Sequence, residues 1–242
     1  MKLYTFDNAV LMVLGLGLCC LAQTSFAQPQ QQTQPNSTED QEWEQLLEDN
    51  AEQRALQVNE GELEFLKTPP TEKLVHTVTN TITISDASLE TQWVTLHQCH
   101  KNLDAVAESE IVYQYEQMRN LRVEHYYGID KAWVENQTVQ MTNIERGATL
   151  CVMADVRILK PNEKGGYVLR NGPYFRKFLD GYYPFHVMVN INYPKSTLKL
   201  NTTHPKPQSG FDVEEDNGRL TMDAWFEGKL MVEAQFNQVA TP

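Results

Sequence analysis

Large apolar residues occupy every second position from 185 to 193: Phe185, Val187, Val189, Ile191 and Tyr193, with His186, Met188, Asn190 and Asn192 between them. A period of two places each set on its own face of an extended chain, so this segment predicts a half-buried strand. Positions 78–84 and 121–123 carry the same signature more weakly. Glycine then marks the turns. Asp180-Gly181, Asn217-Gly218 and Glu227-Gly228 predict tight hairpin connections, and Lys164-Gly165-Gly166 a looser one. On that basis residues 220–226 and 229–236 are expected to pair as a terminal antiparallel hairpin. Short β-branched and aromatic runs between turn residues continue from Gly61 to the end. The expected fold is therefore all-β: an antiparallel β-sandwich, either one extended body or two consecutive immunoglobulin-like sandwiches over 61–160 and 161–242, with a seam near 160–184.

The N-terminal quarter has a different texture. Lys2 is followed by an apolar run of about 14 residues at 9–22, too short for the roughly 20 that a membrane-spanning helix needs. Ser25-Phe26-Ala27 supplies the small-x-small exit of a secretory signal peptide, so 1–27 is expected to be removed and the mature chain to work in the periplasm or outside the cell. Cys19 and Cys20 offer lipid attachment as the alternative, although Leu18 is a poor residue to precede a lipidated cysteine. Residues 28–40 are rich in Gln and Pro with no large apolar side chain, which predicts a disordered leader. Residues 41–60 switch to helix formers, with Trp43, Leu46, Leu47, Ala51 and Ala55 near helical spacing, and predict one short amphipathic helix. No later segment is apolar enough to cross a membrane.

Charge sharpens this division. Of the net −12, a share of −9 lies between Glu39 and Glu64, whereas the chain from Phe65 onward holds 21 acidic and 18 basic residues. The helix is thus an acidic element, and the nearly neutral body has no basic field to attract nucleic acid or anionic lipid.

Export also changes how the cysteines read. Cys99 and Cys151 are the two that survive cleavage, and oxidising compartments favour their joining. Such a disulfide closes a loop of about 53 residues and contributes on the order of 4 kcal/mol in the chain-entropy model. A second possibility attaches to the same residues. If 93–99 and 150–155 are strands, His97 and Cys99 share one face, and Cys151 and Met153 another. Were those strands neighbours, His97, Cys99, Cys151 and Met153 would converge as a thiolate, imidazole and thioether set suited to copper in its Cu(I) state. Otherwise no cofactor is expected: the spacing fits no zinc or c-type haem pattern, and Gly-rich phosphate loops are missing.

Catalytic constellations are not visible either. There is no G-x-S-x-G elbow, and acidic residues such as Glu108, Glu110, Glu214 and Glu215 read as solvated loop charge. Aromatic residues beside predicted turns, above all Tyr182 and Tyr183 before Pro184, and Trp133, are candidates for a binding surface. The expected function is a non-enzymatic exported binding protein whose partner is an envelope protein or glycan. The alternatives are a periplasmic copper-binding or copper-delivery protein and a hydrolase of envelope glycan.

Overall fold

The computed structural model describes residues 2–4, 59, 61–68, 70, 74–178 and 181–239. The expected signal segment (apart from 2–4), the leader and the acidic helix (apart from Asn59) lie outside the described residues. In chain order the elements are β1 (Lys2–Tyr4), β2 (Glu64–Phe65), β3 (Thr77–Thr83), α1 (Asp86–Thr91), β4 (Val94–Leu103), β5 (Val106–Val112) and β6 (Met118–Glu135). They continue with β7 (Thr138–Val156), β8 (Leu159–Pro161), β9 (Tyr167–Tyr174), β10 (Lys177–Phe178), β11 (Gly181–Tyr182) and β12 (Phe185–Asn192). The last four are β13 (Leu198–His204), β14 (Phe211–Asp216), β15 (Arg219–Glu227) and β16 (Leu230–Gln238). Among the described residues no helix is long and apolar enough to cross a membrane.

Two sheets face one another. The larger follows the order β1-β5-β7-β4-β3-β12-β15-β14, with β6 also on β7 and β2 on β15; the smaller is β13-β16-β9-β8. Their inward side chains form one core: Ile82, Leu96, Val187, Val189 and Met222 from the large sheet meet Leu169, Val232 and Phe236 from the small one. Tyr193, just beyond β12, packs on Phe236 with ring centroids 4.9 Å apart. Each large apolar side chain so enclosed contributes roughly 1.5–3 kcal/mol, which is why alternation dictates which face turns inward. The strand expected at 185–193 is there as β12, with Phe185, Val187, Val189 and Ile191 at 0–1% exposure.

The spine of the large sheet is β7. One of its sides pairs with β4 from Val94↔Val156 to Leu103↔Ala148, and then with β5 from Val106↔Ile144 to Val112↔Thr138. Its other side pairs with β6 along nearly the whole length. Tyr126 and Tyr127 stand in the middle of β6 with exposed rings rather than at a turn. The tight turn lies instead at Asn136-Gln137, where Asn136 adopts φ 55°.

Two expectations about connectivity fail. β15 and β16 do not pair: β15 joins β12 and β14 in the large sheet, while β16 joins β13 and β9 in the small one. Both strands carry one apolar face, and those faces meet across the core rather than edge to edge. Gly228 makes the crossing possible with φ +84°, and a Cβ there would stand 1.8 Å from the Glu62 carbonyl oxygen. The seam near 160–184 also divides nothing, because β3 pairs in parallel with β12 from the second half, Val78 opposite Val187. Strands from 61–160 and from 161–242 interleave in the large sheet.

Candidate functional site

Polar side chains invade one part of this core. On β4 the inward set is Val94, Leu96, Gln98 and His100, and the last two are 0–1% exposed. His76, also 1% exposed, sets its Nε2 3.1 Å from Nδ1 of His100, and His100 Nε2 lies 2.8 Å from Gln98 Oε1. The same oxygen accepts from the Tyr113 hydroxyl at 2.9 Å, and Gln98 Nε2 donates to Asn80 Oδ1 at 2.6 Å. An amide oxygen can only accept, so His100 carries its proton on Nε2 and receives one from His76 Nε2 at Nδ1. Both imidazoles are satisfied as neutral rings. Burial drives their basicity down, His100 to about 3 and His76 well below the ordinary histidine value, with His100 and the Arg176 guanidinium adding to the effect on His76.

This network leads toward the surface through Tyr113 and Tyr115, whose rings stack with centroids 6.4 Å apart. The Tyr115 hydroxyl accepts from Asn171 Nδ2 at 2.9 Å. Tyr115 and Gly172 help line a small enclosed space of about 10 Å³, room for about one water, and they also line an open groove of about 390 Å³.

The groove is built on the outward face of the small sheet. Val168, Arg170 and Gly172 alternate outward along β9, and Met231, 44% exposed, projects from β16. Ile158 and Pro161 extend the apolar floor, while Arg157, Lys160 and Arg170 supply three cations. Arg170 is paired with Glu233 at 2.6 Å and Lys160 with Glu116 at 3.3 Å. Arg157 is held differently: Nη1 donates to Gln117 Oε1 at 3.2 Å, and Nε is buried with no hydrogen-bond partner among the described residues. A buried guanidinium N–H without an acceptor is costly until an anion or carbonyl reaches it. Nothing in the sequence around Arg157 announces this groove, because its walls come from four stretches separated by up to about a hundred residues.

The aromatic residues expected to form a binding surface are not gathered on one. Tyr182 is 7% exposed, with Phe175 against it edge-on at 6.0 Å, so its ring belongs to the interior. Tyr183 lines a separate hollow of about 320 Å³ together with Leu74, Asp104, Arg146 and Arg176. Arg176 reaches both Asp104 carboxylate oxygens at 2.9 Å there. Trp133 stands on β6, half-buried, with Lys131 Nζ 4.7 Å from the ring centre.

The cysteine strands do become neighbours. Cys99 on β4 and Cys151 on β7 are direct cross-strand partners, joined as a disulfide with Cα atoms 4.1 Å apart. His97 is likewise opposite Met153, so all four residues share the outward face of the large sheet. His97 Nε2 lies 2.7 Å from Glu124 Oε2 and 3.7 Å from Cys99 Sγ. The donor atoms of His97, Cys99 and Cys151 fall within 4.8 Å of one another. Compared with known proteins, the chain matches no family model and no curated protein.

Proposed function

We propose that this is an exported, non-enzymatic binding module of the cell envelope, and that the groove between β9, β16 and the 114–116 stretch takes an acidic segment of an envelope protein or glycan. One observation carries the assignment: a groove of about 390 Å³ with an apolar floor and three cationic side chains, set on paired strands. Its size and mixed lining match what ligand clefts use, and the fixed strands spare a partner the ordering of a loop. Arginine suits carboxylate because its planar donors engage two oxygens at once. Export has two supports, the signal-type N-terminus and a disulfide of the kind that persists outside the cytosol. The same proposal includes an immunoglobulin-like type of sandwich, and a Gln/Pro-rich leader followed by an acidic helix that spaces the body from its surroundings.

Binding to envelope fragments prepared from the producing cells tests the assignment. The wild-type protein is expected to co-sediment with them and to be released as salt rises, because ionic contacts at a groove rim are screened. Replacing Arg157 and Arg170 by Gln together is expected to weaken binding by about tenfold or more, because it removes two of the three cations that line the groove. Retention of full affinity in that variant would contradict the assignment of the groove.

A further inference from the structure

We propose that the outward face of β4 and β7 is a redox-gated Cu(I) site, closed while Cys99 and Cys151 are joined and open once that bond is reduced. Two cysteine sulfurs and the His97 imidazole meet there, and Met153, whose thioether could be a fourth donor, stands directly opposite His97 on the neighbouring strand. The His97 nitrogen and the two sulfurs lie within 4.8 Å of one another while the cysteines are joined. Around them Glu124 holds His97 at 2.7 Å, and an Arg122 Nη2 donates to the Met153 sulfur at 3.2 Å. Two thiolates with a thioether favour Cu(I) over zinc, which has little use for methionine sulfur.

The chemistry balances through a dithiol reductant. Thiol–disulfide exchange transfers two electrons, so the Cys99–Cys151 bond breaks into two thiols while the reductant's two thiols become its disulfide. Cu(I) then displaces the two thiol protons to solvent, and His97 moves its Nε2 proton to Nδ1 as it leaves Glu124 for the metal. Reduction removes one covalent link but leaves the ladder between β4 and β7, which runs from Val94↔Val156 to Leu103↔Ala148. The site uses none of the groove residues, so failure of either proposal leaves the other standing.

Competition for Cu(I) against a chromogenic chelator, with the full-length mature protein in its oxidised and reduced forms, is the test. The reduced protein is expected to take one Cu(I) and the oxidised protein none. The reduced Cys99→Ser/Cys151→Ser double variant should lose binding altogether, and Met153→Leu should weaken it by about tenfold as for loss of a weak thioether ligand. Near-ultraviolet circular dichroism shows whether the reduced chain keeps its packing. Equal copper uptake by the oxidised protein or by the double serine variant would overturn the site. So would no uptake by a reduced, folded chain, or loss of the fold on reduction.

Discussion

Lowering the pH from 6.5 to 5 is expected to destabilise the folded protein by about 1.4 kcal/mol per pH unit for each of His76 and His100 once both lag behind the unfolded chain. The sign follows from burial. In the unfolded chain these histidines take up a proton near the ordinary value of 6.5, whereas the buried rings refuse it, His100 down to about 3. The unfolded state therefore binds more protons, so stability is complete above pH 6.5 and falls as the pH drops toward the folded values. Geometry gives the same answer: a proton added to His100 Nδ1 would point at the His76 Nε2–H, 3.1 Å away. Urea midpoints at intervals between pH 7.5 and 5 measure the slope, over a range where most carboxylates stay ionised. His100→Gln should flatten the profile, while a flat wild-type profile would refute the neutral pair.

Replacing Cys99 and Cys151 by Ser is expected to lower stability by about 4 kcal/mol, since a loop of about 53 residues is released in the unfolded state. For a domain of this size that corresponds to a fall in Tm of roughly 10 °C. The folded state loses little by comparison, because the two residues are direct partners in a ladder that persists without the bond. Calorimetry of the oxidised wild-type and the double variant measures the difference. A change of less than about 1 kcal/mol would mean that the unfolded chain already holds β4 and β7 near each other.

Local patterns carried much of this fold. The alternation at 185–193 is β12, Asn217-Gly218 turns β14 into β15 with both residues at positive φ, and His97 and Cys99 share one face of β4. These features depend on neighbours one to four positions apart. What a single chain hides is which strand lies beside which. Residues 220–226 and 229–236 carry equal apolar faces, and nothing local distinguishes pairing side by side from stacking across the core. β6 alternates too irregularly to reveal its 18 residues, because many of its side chains on both faces are exposed.

Sites were legible in the same measure. That His97, Cys99, Cys151 and Met153 lie on one face of neighbouring strands needed only two strands and one assumption about adjacency. The buried network was harder to see: Gln98 and His100 sit among Val94 and Leu96, while the opposite face carries Thr95, His97 and Cys99, so both faces are mixed. Which face is interior depends on Phe185 and Tyr113 arriving from elsewhere, with His76 against Phe185 at 5.0 Å. The groove residues Arg157, Val168 and Met231 share no motif at all. Tyr182 misled for the reverse reason, since an aromatic residue beside a turn looks exposed until Phe175 covers it.

Site-specific photocrosslinking from position 231, in the floor of the groove, is the most direct measurement of the binding assignment. A photoreactive residue introduced there in the producing cells is expected to yield a discrete adduct with an envelope component, and charge reversal at Arg157 and Arg170 is expected to abolish it. No adduct from position 231, or one that survives the charge reversal and also forms from Thr79 on the outward face of the large sheet, would contradict the account.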